Sequence, residues 1–258
     1  MTYELCVLGA GTILPRTGYG CSGYALRDHE RDRVTLLDCG PGSVRALAQF
    51  GLGVEQVERV VLSHFHTDHW LDLFALGFAR RNPKLGERET LERIGPTGLL
   101  QRLGAAPQAL GDWVVDPDSD DREVDTEPGT GALEAGDLKL RWATTGHAPH
   151  ALAWRVEFPD GFSLTYSGDS GEVDALAELA RGCDLFLCEA AYPEPAPDDS
   201  HLTAAGAGRL AQRAGVDALL LTHFYPDVDP GRAVERAAEE FEGPVAAAYD
   251  GLSLPLRA

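Results

Sequence analysis

Three imidazoles and one carboxylate fall within six residues, directly after an apolar run at residues 60–62. The run predicts a buried strand, which would hold the following side chains in fixed directions. His64 and His66 have the spacing that points both rings of an extended chain to one side, whereas Asp68 and His69 lie where the chain would turn. Because imidazole and carboxylate are zinc ligands, the segment predicts two adjacent metal ions, one at each pair. The alternative is a polar loop with solvated histidines.

Three further strand-end residues follow later in the chain. They are His147 after the alternating run at 138–142, Asp169 after residues 162–165, and His223 at the end of an apolar segment. Each is weak evidence alone, since a single strand-end histidine or aspartate is more often structural. Together, and in this order after the first motif, they indicate one site.

The pattern His-x-His-x-Asp-His, followed by these three residues, resembles the metallo-β-lactamase superfamily. The resemblance implies an α/β fold, a four-layer αββα sandwich, with one domain over residues 1–258. A chain of 258 residues with 44% hydrophobic content is long enough for that single core. The implied ligands are His64, His66 and His147 for one ion and Asp68, His69 and His223 for the other, with Asp169 bridging.

Zinc suits these imidazoles best, although manganese, iron or cobalt would accept the same ligands. Two divalent ions about 3.5–4 Å apart would lower the pKa of a shared water and make it the nucleophile. Asp68 would then also be catalytic, by orienting that nucleophile.

Over most of its length the chain resembles ribonuclease Z and related phosphodiesterases. The segments that carry this resemblance are residues 37–42, 95–99, 167–170, 188–191 and 221–224. In that branch a His-x-Thr segment presents its imidazole to the scissile phosphate, which makes His201 a second catalytic residue, stabilising charge or donating a proton. Otherwise His201 is a solvated loop residue. For His150, a place in the pocket and a place at a turn remain equally open.

The resemblance fails where transfer RNA would bind. The family's long protruding arm would be inserted between His147 and Asp169, but only 22 positions separate them. After His223 the chain carries two aspartates, Asp227 and Asp229, where tRNA-processing relatives carry basic residues.

The amino-acid composition limits the kinds of molecule that we expect the protein to bind. A net charge of −19, from 22 basic and 41 acidic residues, argues against long nucleic acids, so we expect a small-molecule substrate. No stretch approaches the roughly 20 apolar residues of a membrane span, and the segment from Met1 to Cys6 lacks the features of an export signal. We therefore expect a cytoplasmic protein with reduced cysteines and no membrane partner; a homodimer stays open.

The remaining pattern predicts surrounding elements. Helices are expected at residues 43–50 with Ser43 as a cap, 71–80, 173–181, and 203–214 with Thr203 as a cap. Residues 111–131, rich in Asp, Pro, Gly and Thr, are expected to form a surface crossover between the two halves. Arg80, Arg81 and Lys84 are expected at the solvated end of a helix.

The sequence thus predicts an enzyme, a dinuclear metal-dependent hydrolase that cleaves a small phosphodiester such as a cyclic or short nucleotide. Hydrolysis of an ester or lactone at the same site is the alternative. A non-catalytic metal-binding scaffold is the alternative from another class.

Overall fold

A computed structural model describes residues 3–86 and 88–257, which form two seven-stranded sheets with helices on their outer faces. This confirms the predicted α/β architecture, a single-domain αββα sandwich. Met1 and Thr2, part of the segment judged for an export signal, lie outside the described residues. Among the helices described, none has the length and apolar character needed to cross a membrane.

The first sheet has the strand order β14-β1-β2-β3-β4-β5-β6, and its last four strands are parallel. Its strands are β1 (Tyr3–Gly9), β2 (Gly23–Asp28), β3 (Arg33–Cys39), β4 (Val57–Val61), β5 (Leu91–Pro96), β6 (Ser119–Val124) and β14 (Ser253–Leu256).

The second sheet has the order β13-β12-β11-β10-β9-β8-β7, with β10 to β13 parallel. Its strands are β7 (Thr130–Ala135), β8 (Leu138–Thr144), β9 (Leu152–Glu157), β10 (Ser163–Tyr166), β11 (Leu185–Glu189), β12 (Leu219–Thr222) and β13 (Val245–Ala247).

Seven α-helices lie among the described residues. They are α1 (Ser43–Ala46), α2 (Thr67–Trp70), α3 (Asp72–Arg80), α4 (Leu99–Leu110), α5 (Asp174–Ala180), α6 (Ala204–Ala214) and α7 (Pro230–Ala238). Short 3-10 helices occupy Leu47–Phe50, Val54–Gln56, Pro83–Leu85 and Asp112–Val114. Helices α1, α3 and α4 pack on the first sheet, and α5 to α7 pack on the second.

The apolar side chains divide into three layers according to the alternation of the strands. In β4 and the residue after it, Val61 packs between the sheets while Val60 and Leu62 pack under the helices. In β11, Leu187 packs between the sheets and Phe186 packs under α5 to α7. Because successive side chains of a strand point to opposite faces, strands apolar at every position require cover on both faces.

The predicted helices are found with one change at a cap. Thr203 caps α6 by accepting a hydrogen bond from the Gly206 amide at 3.2 Å, as expected. Ser43 is not a cap: Gly42 holds that position with a left-handed φ of 101°, and Ser43 is the first helical residue. A serine already inside the helix cannot accept from the amides that a cap satisfies.

The expected crossover at residues 111–131 is wrong in extent. It contains a 3-10 helix, then β6, which pairs in parallel with β5, and the beginning of β7. Within this segment, only residues 125–129 connect the two sheets, from β6 to β7. An edge strand needs little apolar character, because only part of its surface is buried, so the acidic composition hid β6.

The expected solvation of Arg80 is also wrong, although Arg81 and Lys84 are exposed. Arg80 is completely buried, donates through Nε to Asp116 at 2.5 Å, and donates to the main-chain oxygen of Val57 at 3.0 Å. A buried guanidinium is tolerated because its donors are paired in this way. It stabilises the junction between α3 and the neighbouring strands.

Candidate metal centre and catalytic cleft

The predicted site residues lie where parallel strands end, at one edge of the two facing sheets. His64 follows β4, Asp169 follows β10 and His223 follows β12. The edges meet because the Phe224 amide donates to the Ala10 oxygen at 3.1 Å and the Leu152 amide donates to the Ser63 oxygen at 2.9 Å. Binding sites of open α/β sheets characteristically lie at such carboxyl ends.

We call a group of side chains that could bind one metal ion a donor cluster. One donor cluster contains His64, His66, His147 and Asp169, whose ligand atoms lie within 4.8 Å of one another. The Nε2 atoms of His64 and His147 lie 3.7 and 3.5 Å from Oδ2 of Asp169. Nδ1 of His66 lies 3.1 Å from Nε2 of His147. Three imidazoles and a carboxylate form a donor set that zinc accepts.

A second cluster contains Asp68, His69 and His223. The Nε2 atoms of His69 and His223 lie 3.2 and 3.3 Å from Oδ1 of Asp169, the other oxygen of the same carboxylate. Asp169 therefore faces one cluster with each oxygen, as a bridging ligand would. The structure thus brings all seven predicted residues together, while their roles as ligands stay a prediction.

The second nitrogen of the histidine rings is held by the protein. Nδ1 of His69 donates to Asp38 at 2.7 Å and Nδ1 of His147 donates to the Ser200 carbonyl at 2.8 Å. Nδ1 of His64 lies 3.0 Å from the Ser63 hydroxyl, which itself donates to Asp38, so the imidazole is the donor there. With the proton on Nδ1, each ring presents the lone pair of Nε2 to the centre, as metal binding requires.

The inward-facing atoms fit bound cations. Nε2 of His64, Nε2 of His69 and Oδ1 of Asp169 are buried and make no hydrogen bond. Buried polar atoms are rarely left without a partner, since each one costs free energy of desolvation. Divalent ions between the two clusters would satisfy all three atoms.

The protonation states of the site residues also favour cation binding. Burial lowers the pKa of His223 to about 4 and holds the pKa of His64 well below its ordinary value, so both rings are neutral at pH 7, the form that can bind a metal. For His69, the carboxylates of Asp169 and Asp38 outweigh burial and raise the pKa well above its usual range. This buried carboxylate pair therefore attracts positive charge.

Asp38 is a buried residue beside the donor clusters that the sequence reasoning did not single out. It is completely buried, and its Oδ2 accepts from His69, from the Ser63 hydroxyl and from the Tyr166 hydroxyl, each at 2.7 Å. Its Oδ1 accepts from the Ser63 amide at 2.7 Å. One carboxylate thus fixes the strand end that carries the first motif. A strand-end aspartate at the close of β3 was the available signal.

Two glycines allow the close approach that the site needs. A side chain at Gly40 would place its Cβ 1.9 Å from the main-chain oxygen of Asp68. At Gly168, with a left-handed φ of 55°, a Cβ would lie 2.8 Å from both the Leu152 oxygen and the Ser63 Cβ. Only glycine combines that conformation with that space.

His201 forms a third possible donor group with Asp169 and His223 and also pairs with a buried carboxylate. Its Nδ1 is 3.1 and 3.2 Å from the two oxygens of Glu189, and its ring centroid is 4.5 Å from that of His147. Burial raises the pKa of Glu189 to about 7; burial alone would lower that of His201, but the hydrogen bond and charge of Glu189 raise it above the ordinary value. Both shifts favour retention of a proton by the pair near neutral pH. Sequence reasoning missed Glu189, the carboxylate at the end of β11.

A cleft of about 370 Å³ opens onto the clusters. Its lining includes Ile13, Phe65 and Tyr225 besides six of the predicted residues, which are His66, Asp68, His147, Asp169, His201 and His223. Asp68 is oriented there by the Ile13 amide, which donates to its Oδ2 at 3.0 Å. His150 takes the turn position, with φ of 67° and Nδ1 2.6 Å from the Thr126 hydroxyl, and does not line the cleft.

Comparison with known proteins agrees with this geometry. The family model described as beta-lactamase superfamily domain matches residues 33–224, which contain all seven clustered residues. The chain belongs to this superfamily. It is a metal-dependent hydrolase of the ribonuclease Z-like branch.

Relatives within the superfamily cover nearly the whole chain. An uncharacterized protein of Mycobacterium tuberculosis, Rv1339, is 37% identical over 252 residues, covering 95% of this chain and 89% of its own length. Ribonuclease Z of Myxococcus xanthus is 29% identical over 310 residues, with 98% of each chain covered. The crystal structure of the metallo-beta-lactamase fold protein YhfI from Bacillus subtilis has a TM-score of 0.82 and 26% identity, covering 99% and 100% of the two chains.

Proposed function

We propose that this chain is a dinuclear phosphodiesterase that hydrolyses small diesters such as cyclic or short nucleotides. The observation that carries the proposal is the His201–Glu189 pair, which presents an imidazole beside two donor clusters that share Asp169. The clusters would bind divalent ions, and the imidazole of His201 would donate a proton to the leaving oxygen of a phosphodiester.

His64, His66 and His147 would hold one ion, and Asp68, His69 and His223 would hold the other, with Asp169 between them. Zinc is the first choice because imidazoles dominate the donor set, and manganese, iron or cobalt would accept the same donors. When bound, two such ions supply Lewis-acid charge to phosphoryl oxygens and lower the pKa of a water.

The chain's own residues then direct the reaction. Asp68 would accept a hydrogen bond from the attacking water and orient it, because its carboxylate is fixed by the Ile13 amide. The attacking water releases one proton to solvent and its oxygen forms a bond to phosphorus, while the bond from phosphorus to the leaving oxygen breaks. His201 would give its Nε2 proton to that leaving oxygen, and Glu189 would stabilise the imidazolium beforehand.

Nε2 of His201 is available for this transfer. It makes no hydrogen bond to the described residues and is not among their enclosed unpaired atoms, so it opens to the cleft that His201 lines. An alkoxide that leaves phosphorus needs a proton. A ribonuclease Z relative with full coverage adds support for phosphodiester chemistry over lactone chemistry.

Three features favour a small substrate. The cleft, at about 370 Å³, is near the lower end of the usual range for small-molecule sites. The interval between His147 and Asp169 is taken up by β9, residues 158–162 and β10, which leaves no length for an arm. A net charge of −19 opposes binding of a long polyanion.

The test is turnover by metal-stripped protein that is reloaded separately with zinc, manganese, iron or cobalt. Bis(p-nitrophenyl) phosphate and cyclic nucleotides are assayed beside a panel of lactones and esters. We expect diester hydrolysis that depends on added metal. Preferred lactone turnover would replace the proposal with the ester alternative, and inertness toward the whole panel would favour a scaffold.

A second arm uses precursor tRNA with a 3′ trailer. Binding that engages only the few phosphates at the cleft is weak and salt-sensitive, so we expect little cleavage at physiological ionic strength. Efficient endonucleolytic cleavage under those conditions, at a rate above that for a small diester, would contradict the small-substrate proposal.

A further inference from the structure

Tyr225 lies on the His201 side of the cleft. It follows the last predicted ligand by two residues, and its ring centroid is 6.0 Å from that of His201 and 6.4 Å from that of His223. His223 has a left-handed φ of 58°, which turns the chain, and Tyr225 lines the cleft. The ring is half-buried, so its position is held by packing.

The Tyr225 hydroxyl is free to bind a ligand. It makes no hydrogen bond to the described residues, and it is not one of their buried unpaired atoms, so it is accessible. Other tyrosine hydroxyls have partners: that of Tyr166 donates to Asp38 at 2.7 Å, and that of Tyr24 lies 2.8 Å from the Thr222 hydroxyl. A phenol beside charged donors commonly takes a hydrogen-bond partner, which here would come from the substrate.

The other free hydroxyl of the cleft is that of Thr67, which is exposed and stands at the beginning of α2. Tyr225 differs because its ring packs edge-on against His201, at an interplanar angle of 74°. Its hydroxyl is therefore carried by the wall that also presents the proton donor of the proposed reaction.

We propose that the Tyr225 hydroxyl donates a hydrogen bond to an oxygen of the bound phosphate group, next to the oxygen that His201 protonates. This inference rests on the proposed phosphodiesterase function and adds a catalytic residue to it. A neutral, oriented donor aimed at developing negative charge stabilises the transition state without reorganisation. No ionisation of the tyrosine is involved.

The test compares Tyr225→Phe with Tyr249→Phe, both as metal-loaded protein. Tyr249 is the matched control because it is 51% exposed, has a hydroxyl with no described partner and does not line the cleft. We expect Tyr225→Phe to reduce kcat/KM for bis(p-nitrophenyl) phosphate about 10- to 100-fold, within the range for a lost charge-assisted hydrogen bond. Tyr249→Phe should stay within about 2-fold of the parent.

Binding of inorganic phosphate, measured by calorimetry, gives a readout that does not need turnover. We expect Tyr225→Phe to weaken it about 5- to 50-fold, with unchanged metal content and melting temperature. Equal phosphate binding by the parent and the Phe variant, with unchanged melting temperature, overturns the inference. If the parent hydrolyses no diester but loses phosphate affinity on substitution, the proposed function fails and the role of Tyr225 in phosphate binding stands.

Discussion

Glu189 holds His201 by its Nδ1 atom, at 3.1 and 3.2 Å from the two carboxylate oxygens, and Glu189 itself has no exposed surface. The Ser170 amide donates a hydrogen bond to the Glu189 carboxylate at 2.6 Å, so this carboxylate is held next to the segment that carries Asp169. A rigid carboxylate that orients an imidazole leaves one nitrogen free for proton transfer.

His201→Ala should slow cleavage of diesters with poor leaving groups by roughly 10²–10⁴-fold, the usual range for a lost general acid. Both metals should remain. An activated leaving group such as p-nitrophenolate should largely rescue the variant, because it needs little protonation. Glu189→Gln should show the same dependence on the leaving group to a smaller degree. Loss of metal, or equal slowing of both kinds of substrate, would mean that His201 has another role.

Asp169→Ala should remove activity and lower the metal content together, because each oxygen of Asp169 faces one donor cluster. Elemental analysis after dialysis is the measurement. Asp160→Ala is the control, since that carboxylate is exposed in the turn before β10. A folded Asp169→Ala protein that retained two metals and full activity would refute the bridging assignment.

Asp38→Asn should weaken metal binding by about 10–100-fold while leaving all seven predicted ligands in place, since partners of ligating histidines have effects of that size. The reason is the loss of the carboxylate that accepts from His69 at 2.7 Å. Competition with a chromophoric chelator measures it. If the melting temperature fell while metal affinity stayed at the parental value, Asp38 would be purely structural.

Arg80→Met should lower the free energy of unfolding by roughly 3–5 kcal/mol, because Asp116 would be left as a buried charge without its main partner. Three main-chain oxygens, of Val54, Val57 and Glu89, would also lose a donor. Arg81→Met, one residue further and exposed, should change stability by no more than about 0.5 kcal/mol. Urea unfolding monitored by circular dichroism compares the two, and similar values would show that burial of Arg80 contributes little.

The fold was predictable because its strands are short, apolar at successive positions and followed by conspicuous polar residues. Val60, Val61 and Leu62 already indicated a strand covered on both faces, and the order of the later motifs indicated the family. The edge strand β6 was missed because an edge imposes little on composition. Arg80 was misjudged since a charged residue in a helical pattern gives no sign of a buried partner 36 positions away.

The sequence by itself determined the donor set, because four of the seven candidate ligands lie in one motif whose spacing strand geometry makes meaningful, and His147, Asp169 and His223 complete the order. Only the tertiary structure decided which atoms meet. The division of Asp169 between two clusters, the Glu189–His201 pair and the contacts of Asp38 join residues from different strands. Such contacts depend on how two sheets pack and in what register, and no local pattern along the chain encodes those distances.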